Sequence, residues 1–556
     1  MPDEPDQRAV DILKDFNDFP HFDNWKTFAE NIAIYGEERK SGIVGGRTPG
    51  QIDSSKIWDT TLRDALEVFS AGIVSDLTPQ SEAWLEIESQ SFTASTEEKD
   101  FYNKASDRVR TRVGQSNFYR GFHESIHSGG LLGTFCMAML PSKKRKFNFT
   151  EIPFGRFRFR EDADGYASTV YHEWEEATAA QIQEFFQEEL ESGAAQLPDM
   201  IKEALASDNP ETRNKKFCIV HRVRPRLQSS GEIPAKAEDR PFESDYVCKE
   251  TNTSILANDG LYYQPYIVCR ILKSRHDGGF GRSPGTQVYP IVRVLNRATR
   301  DTSVALEKNV RPPMLTPKDS TSRRDDRPGG EIVYDPHIPN GAPAPYVVPF
   351  DLQSVDWFMQ RLERQIKAAF FNGMFKFFTD QQVATTEKTA FEAQLQAEEQ
   401  LRLFTPIFQN IVDECLSPVI ENVFTEMFLT GDFADLLEGI GDEEAESISN
   451  FQVVYDSRIA KAVKSQRNQG LIKVANAANI IEAFAPGAGA RALDWERALK
   501  EVAINSSVSG EHVNSDDVID QLKAKDAEVQ ELMQQVEVMH RASQSAAQLQ
   551  AGAGSG

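Results

Sequence analysis

Phe280-Gly281-Arg282-Ser283-Pro284-Gly285 is the stretch on whose reading the rest of the chain depends. Gly281 to Gly285 has the outline of a nucleophile elbow, where the serine draws part of its oxyanion hole from the N–H of the next residue. Here the next residue is Pro284, and proline has no N–H. The residues fit a helix start instead, with Ser283 as N-cap and Pro284 at the first helical position. From there Val288, Ile291, Val292, Leu295, Ala298, Thr302 and Leu306 form an apolar stripe at helical spacing. Arg293, Arg297 and Arg300 recur at i, i+4 and i+7 and share one side. Pro312-Pro313 ends the element. This is the pattern of a structural rod, not of a catalytic centre.

Outward from the rod, composition sets the class. The chain has 556 residues, 40% hydrophobic and 26% charged, which fits a soluble globular protein. By length it holds roughly three or four domains. It has no run of about 18 apolar residues, so no membrane span is expected. Met1 to Asp15 is acidic and polar and lacks the apolar region of a signal peptide. Cys136, Cys218, Cys248, Cys269 and Cys415 are scattered, odd in number and free of CxxC pairs. That spacing predicts reduced thiols made in a cytoplasm, not a zinc ribbon or a disulfide scaffold. Net charge is −24, from 61 Lys+Arg against 85 Asp+Glu. A tight, sequence-independent nucleic-acid binder needs a basic surface, because phosphate neutralisation supplies most of that affinity. Such an acidic chain repels DNA over most of its surface, which still suits a role in which DNA passes without sticking.

Residues 8–40 read as helical, with Ile12, Leu13, Phe16, Trp25, Phe28 and Ile32 inward. After a Gly-rich loop, Ile57, Leu62, Ala65, Phe69, Ala71, Ile73 and Leu77 predict a second helix closed by Thr78-Pro79. A further helix covers about 99–128, followed by an apolar run from Leu131 to Leu140. The period then changes to two: Arg156 to Arg160 alternates, Asp162 to Gly165 turns, and Ala167 to Trp174 returns. Its arginines with interleaved Phe have the make-up of a nucleic-acid stacking strip. A half-buried strand with a solvated basic face is the plainer reading and the one adopted, as it is for the charge run Lys143 to Lys146. Residues 176–207 read as helical and 216–272 as short strands around a polar insert. The Pro-rich stretch 312–349 reads as structureless. Leu352, Val355, Met359, Leu362, Ile366, Phe370, Met374 and Phe377 trace one helical face, and Thr386 to Phe428 a second long helix, kinked at Pro406 and Pro418. An acidic shift from Gly431 to Glu446 precedes a small helical unit, 451–505. The final helix sets Val518, Leu522, Val529, Leu532, Val536 and Met539 at heptad positions, interrupted by Lys525, a seam that one helix cannot bury alone.

The sharpest enzymatic string is His123-Glu124-Ser125-Ile126-His127, an HExxH. On a helix it places two imidazoles one turn apart beside a carboxylate that activates zinc-bound water. The metzincin extension needs His where Gly133 stands, and no helical Glu follows as a third ligand; a polar helix face is the reading adopted. No GxxxxGK[ST] loop and no Ser/His/Asp set are present. The chain is read as no enzyme and as needing no cofactor.

Taken in order, these segments resemble the portal (head-to-tail connector) proteins of short-tailed bacteriophages. Ile57-Trp58-Asp59-Thr60-Thr61 through Leu77-Thr78-Pro79 to Trp84-Leu85 is similar to the family's early helix and following Trp. His127 to Pro141 matches the helix-then-strand that follows, and Arg156 to Ile182 the hairpin with its Asp-Gly turn. Phe280 to Pro284, running on to Pro312-Pro313, is similar to the post-clip helix and is the most specific match. Ala384-Thr385-Thr386-Glu387 to Met427 is like the family's long helix, and Val453 to Lys461 like the opening of the crown. The family has Pro-Leu-Ala where Arg458-Ile459-Ala460 stands, and a Gly-Val-Pro-like turn where Ala503-Ile504-Asn505 stands.

The resemblance implies an α+β, mainly α subunit of a cyclic ring, usually a dodecamer, at one capsid vertex of the virion, assembled in the host cytoplasm. It implies a wing from 1–175 and 312–430 (with a tunnel loop at about 336–352), stem helices at 176–215 and 276–311, and a clip at 216–275. The crown would be 431–510, and 511–556 a C-terminal barrel or coiled-coil helix with a flexible tail. The implied partners are further copies of the chain, double-stranded DNA in transit, the large terminase subunit, tail adaptor and tail tube proteins, and the major capsid and scaffolding proteins, with no membrane insertion. Arg293, Arg297, Arg300 and Tyr346 are then the channel candidates, and Leu522, Val529, Leu532 and Val536 the oligomerisation candidates. Inter-subunit salt bridges are the competing role for the three arginines. A zinc peptidase built on 123–127 and an acidic coiled-coil scaffold are the alternatives in function.

Overall fold

The computed structural model describes residues 6–19, 22–37, 57–80, 82–89, 96–140, 147–226, 236–273, 279–310, 314–315, 337, 344–345, 351–379, 402–437 and 451–455. The chain divides into two compact units, Met1–Tyr455 and Asp456–Gly556, and every described residue lies in the first. That unit is mixed helix and strand, mostly helical.

Its helical part starts with α1 (Gln7–Asn17) and α2 (Phe22–Glu37), followed by α3 (Thr61–Leu77). In α3, Leu62, Ala65, Leu66, Phe69, Ile73 and Leu77 are buried at the 3.6-residue spacing that makes one helix face apolar. The helix expected over 99–128 is two helices, α4 (Thr96–Gln115) and α5 (Phe118–Leu132). They part at Asn117 because its side chain brackets a strand backbone, donating to Phe149 O at 2.7 Å and accepting from Phe149 N at 2.8 Å. Strand β1 (Leu85–Ser89) pairs antiparallel with the last described strand, β12 (Phe451–Tyr455). Trp84 stacks on Phe118 at 6.2 Å and on Tyr455 at 6.4 Å at that junction. The expected helical unit from 451 therefore begins as a strand, since Phe-Gln-Val-Val-Tyr is β-branched and aromatic and finds an edge to pair with.

A three-stranded sheet, order β3-β2-β9, joins β2 (Thr134–Leu140), β3 (Asn148–Ile152) and β9 (Tyr266–Arg270). A five-stranded antiparallel sheet runs β4-β5-β6-β7-β8: β4 (Phe157–Glu161), β5 (Ala167–Thr178), β6 (Lys216–Pro225), β7 (Phe242–Cys248) and β8 (Thr253–Leu261). The hairpin expected in the wing and the strands expected in the clip thus share one sheet. Helix α1 covers one face, where Ala9, Ile12, Leu13 and Phe16 meet Tyr171, Val220 and Val247. Arg8 Nε donates to Asp245 Oδ1 at 2.9 Å, and Arg222 Nη2 to Asp245 Oδ2 at 2.5 Å. The hairpin arginines serve the same packing: the Arg158 guanidinium lies 3.7 Å from the Phe16 ring centroid, and Arg160 pairs with Asp15 at 2.6 Å. Arg158 is thus covered by protein, not solvated as expected, and burial lowers its pKa, while Arg160 stays exposed as expected.

The other sheet face carries a short-helix layer, in which Ile182, Phe186 and Ile201 pack on Phe217, Ile219 and Tyr246. Instead of one helix over 176–215, there are α6 (Ala179–Phe185), α7 (Gln187–Glu191), α8 (Asp199–Ala206) and α9 (Pro210–Arg213). Strand β5 claims the chain up to Thr178, and Ser192-Gly193, Pro198 and Pro210 interrupt the rest. On this face His221 is fully enclosed, with Nδ1 2.6 Å from Tyr266 Oη and Nε2 2.9 Å from Ser244 Oγ. His172 shares the same Tyr266 hydroxyl at 3.2 Å and accepts from Trp174 Nε1 at 2.7 Å.

After the central helix, described below, the Pro-rich stretch is not wholly structureless, because β10 (Met314–Leu315) pairs antiparallel with β11 (Ala344–Pro345). The helical face expected from Leu352 is broken at Phe371, whose φ is 55°, into α11 (Leu352–Ala369) and α12 (Asn372–Thr379). The next described helix, α13 (402–411), passes through Pro406 and leads into a π-turn, Val412–Leu416, before α14 (Ser417–Leu429). The irregularity expected at Pro406 and Pro418 falls between them, where the wider turn precedes the missing N–H of Pro418. A last turn, α15 (Ala434–Leu437), follows. All five cysteines are free thiols, as expected. The run Lys143 to Lys146 lies outside the described residues.

Candidate functional site

Ser283 is completely buried, so it is no nucleophile. Its Oγ accepts from Thr286 N at 3.0 Å and donates to Leu131 O at 3.0 Å, while Ser283 N donates to Thr286 Oγ1 at 2.9 Å. This reciprocal cap starts the rod, α10 (Pro284–Val310), at the expected residue. The glycines before and after Ser283 let backbones touch. Gly133, the α5 C-cap at φ 92°, faces Gly281 so closely that a Cβ on it would lie 2.2 Å from Gly281 O. A Cβ on Gly285 would lie 2.5 Å from Leu131 O. Gly281 N donates to Thr134 Oγ1 at 2.7 Å, and Leu272 and Arg282 exchange backbone bonds at 3.0 and 2.8 Å. Phe280 is buried among Phe19, Phe22, Trp25, Phe154 and Phe159, with ring centroids 5.4 to 6.3 Å away. The string is a clamp that seats a helix on the α5–β2 corner.

Beyond the clamp the rod has two different halves. Val288, Val292, Leu295 and Asn296 are buried, and Asn296 Oδ1 accepts from Trp58 N at 2.7 Å. Pro290 sits inside the helix, on its exposed side. Further along, the same stripe loses its cover: Leu306 is 43% exposed and Val310 78%. Leu306 was expected to face inward, and within the chain it does not.

Arg293, Arg297 and Arg300 are all exposed. Arg293 lies 5.7 Å from the Tyr289 ring centroid, and Arg297 makes a loose i,i+4 pair with Asp301 at 3.7 Å. Arg300 has no partner among the described residues. The three charges span about 10 Å of helix, at 1.5 Å per residue. Tyr346, Leu522, Val529, Leu532 and Val536 lie outside the described residues.

Sequence reasoning missed the ion pair that ties the clamp to the rest. Arg270, at the end of β9, is 1% exposed. Its Nε donates to Glu414 Oε2 at 3.0 Å and its Nη2 to Gly165 O at 2.8 Å, with further bonds to Glu414 Oε1 and Glu161. Burial opposes its charge, but hydrogen bonding and charge from Glu414 outweigh it and raise the pKa. The π-turn carries Glu414 inward to meet it. Partners 144 residues apart leave no local sequence signal.

His123 and His127 are half-buried on α5, and Glu124 pairs with Arg120 at 3.0 Å. Burial lowers the His127 pKa. No three His, Cys, Asp or Glu side chains gather to hold a metal among the described residues. The small residues of this helix serve packing, as where Ser125 Oγ donates to Gly121 O at 2.8 Å.

Known proteins give a consistent comparison. The profile of a family described as "Bacteriophage head to tail connecting protein" matches residues 18–513. A "Probable portal protein" of Bordetella phage BPP-1 is 22% identical over 412 residues, 73% of this chain and 72% of that one. The "Portal protein" of Salmonella phage epsilon15 is 22% identical over 473 residues, 82% of this chain and 79% of that one. A chain from the virion of a native gene transfer agent particle aligns with 82% of this chain and 95% of its own, at 12% identity and a TM-score of 0.35, a likeness too distant to carry any argument.

Proposed function

We propose a function on one premise: this chain belongs to the bacteriophage head to tail connecting protein family and is a portal, a head-to-tail connector. In our reading many copies, usually twelve in such rings, close around a channel for double-stranded DNA at a capsid vertex of the virion. Helix α10 is the stem, and Arg293, Arg297 and Arg300 are sparse phosphate contacts along it. The net charge of −24 keeps overall phosphate affinity low, so that DNA slides. The clip is the body built on the five-stranded sheet, the β4–β5 hairpin included, and it docks the terminase during packaging and tail adaptor proteins afterwards. Residues 1–175 and 312–430 otherwise form the wing, which faces capsid and scaffolding proteins. Residues 431–510 form the crown up to the C-terminal helix, with Leu522, Val529, Leu532 and Val536 buried between neighbours. Tyr346 belongs to the tunnel loop. The role is structural, not catalytic.

The observation that supports this reading is the distal part of α10, which packs on α11 yet leaves Leu306 and Val310 exposed. Negative-stain imaging of the purified full chain, with its mass in solution, is the test. Rings with a central hole are expected; monomers or rod-like dimers under every condition would overturn the proposal.

A further inference from the structure

A cavity of about 340 Å³ opens between the hairpin turn, the β8–β9 connection and the π-turn with the start of α14. Its walls are aromatic on one side, from Tyr166, Phe242, Tyr262 and Tyr263, and acidic on the other, from Asp413, Glu414 and Glu421. Among the described residues, Glu414 alone of these carboxylates is neutralised, by Arg270. Among the described residues no Lys or Arg lines the cavity. At its margin Lys273 lies 5.3 Å from the Tyr166 ring and Arg240 4.5 Å from Tyr262, so these rings already take cations. With Glu161 and Glu426, which bond to Arg270 and Tyr263 beside the cavity, the described residues set five carboxylates against Arg240, Arg270 and Lys273. Glu421 is exposed at its edge, yet protein crowds its carboxyl enough that burial raises its pKa. Gln264, also in the lining, has a buried amide oxygen with no donor, its nitrogen being spent on Ser168 O at 3.0 Å.

We propose that this cavity binds an organic cation, an ammonium or guanidinium group carried on an aliphatic chain. Aromatic walls with carboxylates at the rim favour a soft, bulky cation that stacks and donates hydrogen bonds. A hard metal ion needs a ring of converging oxygens, and no such group forms among the described residues. The volume suits one lysine- or arginine-sized guest. The inference is independent of the ring assembly proposed above.

Calorimetric titration of the full chain at low ionic strength is the test, with N-acetyl-lysine amide, N-acetyl-arginine amide and the diamine cadaverine as probes. Saturable one-site binding is expected, weakened about tenfold or more in Glu421→Gln, the loss of one charge-assisted hydrogen bond. Because the whole chain is acidic, Glu188→Gln on α7 is the control and is expected to change affinity less than about twofold. Asp413→Asn gives a second reading if Glu421→Gln does not fold, and Thr425→Lys, which places an ammonium in the cavity, is expected to abolish binding. Tighter binding of the blocked amino acids assigns the site to a side chain of a protein partner, and tighter binding of cadaverine to a small free amine. Absence of saturation, equal binding of N-acetyl-norleucine amide, or equal loss in Glu188→Gln would overturn the proposal.

Discussion

The two halves of α10 are one continuous helix with opposite surroundings. The first half grips: Ser283 is capped, Gly285 lies against a backbone, and Val288, Val292 and Leu295 are enclosed. The second half carries Leu306, Val310 and Arg300 into solvent. Helix propensity alone does not separate them, since both keep the same apolar period. What differs is whether this chain or another body supplies the cover.

The largest effect that would set the body apart from the arm is acidification. The body buries His221 with a half-buried His172 beside it, whereas α10 contains no histidine. Burial, helped by the charge of Arg156, holds the His172 pKa down to about 3 from 6.5; burial, helped by His172, pushes His221 well below 6.5. Unfolded chains bind these protons and the folded one does not, so the stability is complete above about pH 6.5 and falls as pH drops toward 3. By pH 5 His172 alone accounts for about 2 kcal/mol of that loss, and His221 adds to it. Denaturation midpoints flat between pH 7 and pH 5 would contradict this.

Next in size is the root of the arm. Gly133→Ala combines a φ of 92° with a Cβ driven into Gly281 O, and is expected to destabilise the body by about 3 kcal/mol or more. An unchanged denaturant midpoint would show that the clamp yields. Ser283→Ala removes the cap and the Leu131 bond, with an expected cost of about 1–2 kcal/mol on the same measurement.

The smallest effect on the single chain belongs to the free half. Leu306→Asp with Val310→Asp is expected to leave its stability within about 0.5 kcal/mol while reducing assembly on size-exclusion chromatography. If the double variant assembles normally, the distal stripe is not an interface. If it unfolds the chain, the two halves do not differ as described.

Local chemistry explains why the helix start was legible from six residues. Pro284 forbids an elbow and Ser283 offers a cap, and neither depends on distant partners. The Asp-Gly hairpin and the free cysteines were legible for the same reason. The single helix assigned to 99–128 hid Asn117, whose reason for breaking it is the backbone of Phe149, 32 residues away. Arg158 of the hairpin looked solvated because Phe16 of α1, on which it packs, precedes it by 142 residues. Nothing near Arg270 or Glu414 in sequence announces their pairing, and the π-turn that delivers Glu414 has no residue signature of its own. The cavity is equally invisible, since three distant segments build it.

One consequence follows from glycines meeting backbone to backbone at the foot of α10. Side chains swing under load, whereas main chains in direct contact do not. A pull or twist on α10 therefore passes to β2 and β9 at its foot with little slack, and to α11 along its length.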